Sequence, residues 1–208
     1  MCSLNMSLFE NPAHLVDTAT GLLVDRLNAL EKDVNHCLTD PFAPLPALAY
    51  CFSTIDLLGA LYKGEASNSA RTTSNSRSYM VGMMQYTIDQ ASVLQKIFRY
   101  KIIHLAMPKA VIEYQGMLIG WKYYHQSRKE HLKLTKFPTT QHFAIDTRQG
   151  PILTLNYDYE FSIGIKDLQE DIANSVVGRP GYFDALSSST TLQTNFEKAL
   201  KEMYDPTN

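Results

Sequence analysis

Residues 110–124 read AVIEYQGMLIGWKYY, and here the pattern of the chain changes. Val111, Ile112 and Tyr114, then Met117 through Tyr124, are β-branched or aromatic at strand-like density, and Gly116 offers a turn between them. Further on, Leu132 and Leu134 alternate with polar residues, and Phe143 and Ile145 do the same. Gly150-Pro151 marks a turn before Ile152, Leu153, Leu155 and Tyr157. The stretch predicts three or four short antiparallel strands, because its links are too short to hold crossover helices.

Working outward, both flanks read as helix. Asn11-Pro12 is an N-cap followed by a proline at the first helical position, where the missing amide costs nothing. Leu15, Ala19, Leu22, Leu23, Leu27, Leu30, Val34 and Leu38 then recur at helical spacing, up to about Asp40-Pro41. A second helix is expected over about 46–63, closed by Gly64. The small polar run 64–77 reads as a loop exposing Arg71 and Arg77. A third helix is expected over about 76–87 and a fourth, capped by Asp89, over about 89–105. Beyond the strands, Asn156 or Asp158 should cap a helix with Phe161, Ile165, Leu168, Ile172 and Val176 inward. Gly178-Arg179-Pro180-Gly181 breaks it, and a last amphipathic helix follows over about 190–203.

The sum is a mainly α fold in one domain over 1–208. It has a helical core at 10–109, a small antiparallel β insertion at about 110–157, and C-terminal helices at 158–205. With 208 residues and 45% hydrophobic content, the chain can bury a core. No apolar run approaches the roughly 18 residues of a membrane helix, and Met1 to Glu10 has no basic stretch leading into an apolar one. Cys2, Cys37 and Cys51 share no motif spacing, which points to reduced thiols in a cytoplasm.

The net charge of −2 conceals an asymmetry. Residues 1–70 carry 3 Lys/Arg and 8 Asp/Glu, residues 71–153 carry 12 and 4, and residues 154–208 carry 4 and 9. A segment of +8 therefore lies between two of −5. Either the basic middle meets an anion, or the acidic flanks neutralise it within the fold.

Within that middle, the fourth helix holds Phe98-Arg99-Tyr100-Lys101-Ile102-Ile103-His104. An arginine followed after four residues by a histidine, on an apolar helix of a small bundle, resembles the HEPN superfamily (higher eukaryotes and prokaryotes nucleotide-binding domains). The order of a long helix, a second helix, a polar loop and a paired helix also looks similar. The resemblance covers about 10–110. It implies an antiparallel HEPN-like helical bundle and a homodimer with two motifs facing one groove. It also implies metal-independent RNA cleavage in stress or defence, needing no cofactor. Arg99 would clamp the phosphate bidentately, and His104 would handle the proton. On an ideal helix the two lie about 140° apart around the axis, so they would flank a groove. Active members usually carry a small polar residue or a histidine after the arginine; here it is Tyr100.

RNA-binding candidates follow from charge. They are Lys101, Lys109, Arg71, Arg77, Lys122, Arg128, Lys129 and Lys133, the last four interleaved with Trp121, Tyr123 and Tyr124, on which bases could stack. His125, His131 and His142 have no carboxylate or cysteine at metal-site spacing, so no metal is expected. There is no GxGxxG, P-loop, GxSxG or HExxH. Two alternatives stand beside RNA cleavage. One is a non-catalytic dimeric module docking RNA or an acidic protein. The other is a small-molecule binding protein with a Met/Tyr-lined pocket.

Overall fold

The structure, a computed structural model, describes residues 12–99, 108–145 and 153–204. Helices α1 (Pro12–Cys37), α2 (Pro44–Lys63), α3 (Thr72–Gly82) and α4 (Ile88–Leu94) come first, and α4 runs on as a π-helical turn, Gln95–Arg99. Strands β1 (Ile112–Tyr114), β2 (Met117–Tyr124), β3 (Lys133–Ile145) and β4 (Leu153–Gly164) follow, then α5 (Ile165–Val177), α6 (Tyr182–Ser188) and α7 (Thr190–Tyr204).

This is not an antiparallel helical bundle with a small antiparallel insertion. The strands form one mixed sheet in the order β1-β2-β4-β3, in which β2 pairs parallel with β4. The links, too short for crossover helices, were expected to exclude a parallel pair. The crossover is made instead by β3, which leaves β2, takes the far edge of the sheet and returns as the antiparallel partner of β4. β4 is also longer than expected. Phe161 fits a helical series with Ile165 and Leu168, but it also fits the period-two series Tyr157, Tyr159, Phe161, Ile163. The aromatic, β-branched series wins, and helix begins only at Ile165. β3 is one strand across Pro138, with a register shift between Lys136 and Gln141 that leaves the proline out of the ladder. β1 and β2 join through Gln115 (φ 51°) and Gly116 (φ 76°), two left-handed residues that match the twist of a tight hairpin.

The described chain divides into two compact units that interleave along the sequence. One is built from 12–31, 53–86 and 171–204; the other from 32–52, 87–99, 108–145 and 153–170.

In the first unit, α2 and α3 touch at backbone level. A Cβ placed on Gly59 would lie 2.6 Å from the Ser76 nitrogen and 2.7 Å from the Asn75 carbonyl carbon. Asn75 then reaches Glu65, donating from Nδ2 to Oε2 at 3.2 Å, while Arg71 donates to Oε1 at 2.9 Å. Tyr79 and Tyr182, both fully buried, meet edge to face at 6.1 Å, and Tyr79 shares a 2.8 Å hydroxyl hydrogen bond with Ser175. Burial raises the pKa of both phenols, so they stay neutral.

The hydrogen bonds from Arg71 and Asn75 pull the Glu65 carboxyl from its ordinary 4.5 down to about 2. A lowered carboxylate pKa favours the fold above the ordinary value, and that advantage fades as pH falls toward the folded one. Glu65→Gln should therefore unfold at a lower temperature than the parent chain at pH 6, and the gap should close between pH 4.5 and pH 2. A gap unchanged over that range in thermal melts would show that the carboxylate is not held this way.

In the second unit, α4 starts on a reciprocal cap rather than on Asp89. The Thr87 hydroxyl accepts from the Gln90 amide at 3.1 Å, and Gln90 Oε1 accepts from the Thr87 amide at 2.9 Å. Phe98, fully buried on the π turn, stacks on Phe52 at 6.0 Å and meets the Trp121 edge at 5.2 Å. Ile119, Phe161 and Ile163 complete a buried face of the sheet.

Candidate functional site

The described residues expected to act on RNA belong to both compact units. Arg99 ends the π turn, half-buried. His104 and Lys101 lie outside the described residues. Lys109 is exposed, and its amide donates to the Ile97 carbonyl at 3.0 Å. Arg71 and Arg77 belong to the first unit, and Lys109, Lys122, Arg128, Lys129 and Lys133 to the second.

Three of these cations make ion pairs with acidic residues of their own unit. Arg71 pairs with Glu65 at 2.9 Å and Lys133 with Glu130 at 3.0 Å. Arg128 reaches Asp167 at 3.2 Å and Glu170 at 3.0 Å. Asp167, itself buried, also accepts from the Ser127 amide at 2.7 Å. Asp167 and Glu170 come from the acidic C-terminal third and Glu65 from the acidic N-terminal one. At these positions the flanks neutralise the basic middle. The histidines scatter likewise. His131 Nδ1 accepts from the Gly164 amide at 3.1 Å, His142 meets Asn156 at 3.1 Å, and His125 lies against Phe42 at 6.4 Å. Among the described residues no three His, Cys, Asp or Glu side chains come together to hold a metal.

What the second unit does contain is a cavity of about 1290 Å³. Pro44, Leu45 and Pro46 form one wall at the start of α2, where prolines are tolerated because first-turn amides need no helical partner. Trp121 and Tyr123 of β2 contribute stacked rings, 5.8 Å apart and 29° from parallel. Phe143, Leu155 and Tyr157 line it from β3 and β4. A Cβ on Gly120 would come within 2.7 Å of the Tyr157 ring, so the glycine lets that ring lie against β2. Among the described residues that line the cavity, Lys122 carries the only charge.

No protein-family model, curated protein or solved structure matches the chain.

The described lining of the cavity includes no Ser, Thr, Cys, His, Asp or Glu. Burial and the nearby Glu160 raise the pKa of Tyr157, which keeps its hydroxyl protonated. Elsewhere in this unit, burial pushes the Cys51 thiol up to about 12, which removes it as a nucleophile at neutral pH. The aromatics of 121–124 were expected as surfaces on which bases could stack, and the wall formed by Pro44 to Pro46 was not anticipated. A glycine set among large aromatics was the available signal for a wall, but nothing in the sequence brought the prolines opposite it.

Proposed function

We propose that the second unit is a small-molecule binding module whose ligand occupies the cavity between the start of α2 and the sheet. One observation carries this reading: a space of about 1290 Å³ walled almost wholly by apolar and aromatic side chains. Ligand pockets have this character, with few polar groups and mostly apolar walls. The sequence suggested a Met/Tyr-lined pocket as one alternative; the described lining of this cavity has Tyr123 and Tyr157 but no methionine.

RNA cleavage by Arg99 and His104 is the second reading. It is favoured by the π turn that ends on Arg99, since such turns are often found at functional sites.

The test is titration with N-phenyl-1-naphthylamine, a neutral apolar dye that fluoresces when shielded from water. Saturable one-to-one binding is expected. Ala144→Trp, at an exposed position on the cavity wall, should weaken it about tenfold or more, the effect of losing some 1.4 kcal/mol, with unchanged circular dichroism. Absent binding, or binding indifferent to Ala144→Trp, sinks the first reading. RNA cleavage in EDTA that Arg99→Ala and His104→Ala abolish supports the second; cleavage surviving both removes it.

A further inference from the structure

Lys122 stands at the cavity under conditions that suit one class of ligand. Its ammonium lies 4.9 Å from the centre of the Tyr124 ring, and the residue is exposed. The Tyr124 hydroxyl raises its pKa, and Glu160 and Glu130 add to that, so the group is a cation throughout the neutral range. The cavity wall brings no carboxylate among its described residues. Lys122 is the one charged group among them, so an anionic group on the ligand would find a partner there, and a neutral ligand would leave it unused.

Resting on the cavity reading above, we infer that the ligand is an amphiphilic carboxylate: an apolar body inside the cavity and a single anionic head on Lys122. The arrangement avoids the main cost of binding an acid in an apolar site, because the charge stays at the exposed lysine and is never buried unpaired. The ion pair carries a charge-assisted hydrogen bond, stronger than a neutral one. The body has room for aliphatic chain along Pro44, Leu45, Pro46 and Leu155, and for contact with the faces of Trp121 and Tyr123.

The experiment is competition against N-phenyl-1-naphthylamine with three competitors of one chain length: dodecanoate, dodecanol and dodecylammonium. Dodecanoate should displace the dye at about one-tenth the concentration that dodecanol needs, the ratio for a charged hydrogen bond against a neutral one. Dodecylammonium should be the weakest of the three. Lys122→Met keeps most of the aliphatic stem and removes the charge. Scored by the acid-to-alcohol displacement ratio on the variant itself, it should cancel the advantage of acid over alcohol. Equal displacement by acid and alcohol overturns the carboxylate assignment and leaves the cavity reading standing. So does an advantage that survives Lys122→Met, or a preference for the ammonium. A parent chain that fails to bind the dye overturns both.

Discussion

Phe98→Ala should lower the stability of the second unit by about 3–5 kcal/mol, the range for deleting a fully buried aromatic ring. Phe98 is completely shielded, stacked on Phe52 and set against the edge of Trp121. Removing it forfeits its burial and opens a void between two rings that are themselves fixed, Phe52 by its own burial and Trp121 by the β2–β4 register opposite Phe161. The site cannot collapse cheaply, which places the cost toward the upper end. The chain has a single tryptophan, so the effect can be read locally. Trp121 fluorescence should shift to the red in the variant, and its urea midpoint should fall. Phe98→Leu refills much of the space and should cost well under half as much. A Phe98→Ala chain with unchanged tryptophan emission and midpoint would place Phe98 outside the core that joins α4 to β2.

That core shows what could be read in advance. The fourth helix was legible as apolar, and its Leu94, Ile97 and Phe98 are buried. The change of pattern at Ala110 was equally legible, because β-branched and aromatic density is a local property. Sheet topology was not. Whether β2 pairs with β3 or with β4 depends on which partner completes a buried face. Ile119, Trp121 and Tyr123 find theirs in Tyr159, Phe161 and Ile163 across the parallel register. No window of sequence contains both sets. The start of α5 failed for a related reason, since Phe161 satisfies two periods and only its cross-strand neighbour Trp121 decides between them.

The candidate site divides in the same way. Asymmetry of charge was visible, and it posed a choice that a sequence could not settle. Arg128 settles part of it, because Asp167 and Glu170 lie far along the chain and reach it only once α5 is placed. The cavity was harder. Gly120, Trp121 and Tyr123 are adjacent in sequence, but Pro44 to Pro46 and Phe143 reach them from opposite directions along the chain. Pockets assembled from separated segments leave no spacing to recognise.

Two helical glycines, finally, should respond to the same substitution with opposite signs. Gly21 lies within α1, with nothing within 4 Å of an added Cβ. Alanine there restricts the unfolded chain and favours helix, so Gly21→Ala should stabilise by about 0.5–1 kcal/mol. Gly59 lies within α2 and carries the same intrinsic preference, but its Cβ would meet backbone, the Ser76 nitrogen at 2.6 Å and the Asn75 carbonyl carbon at 2.7 Å. Backbone cannot swing aside like the end of a side chain. The two helices must part, and Asn75 moves with α3 and away from Glu65, loosening the hydrogen bond that helps hold the start of the 65–75 segment. Overpacking of this kind costs about 1–3 kcal/mol, which outweighs the propensity gain of about 1 kcal/mol over most of its range. Gly59→Ala should therefore be net destabilising in thermal or urea unfolding. Gly59→Val, with two more carbons and a poorer helix former, should be worse still. Were Gly59→Ala to stabilise the chain as Gly21→Ala does, α2 and α3 could not be in backbone contact at this point, and the buried positions of Asn75 and Ser76 would need another cause.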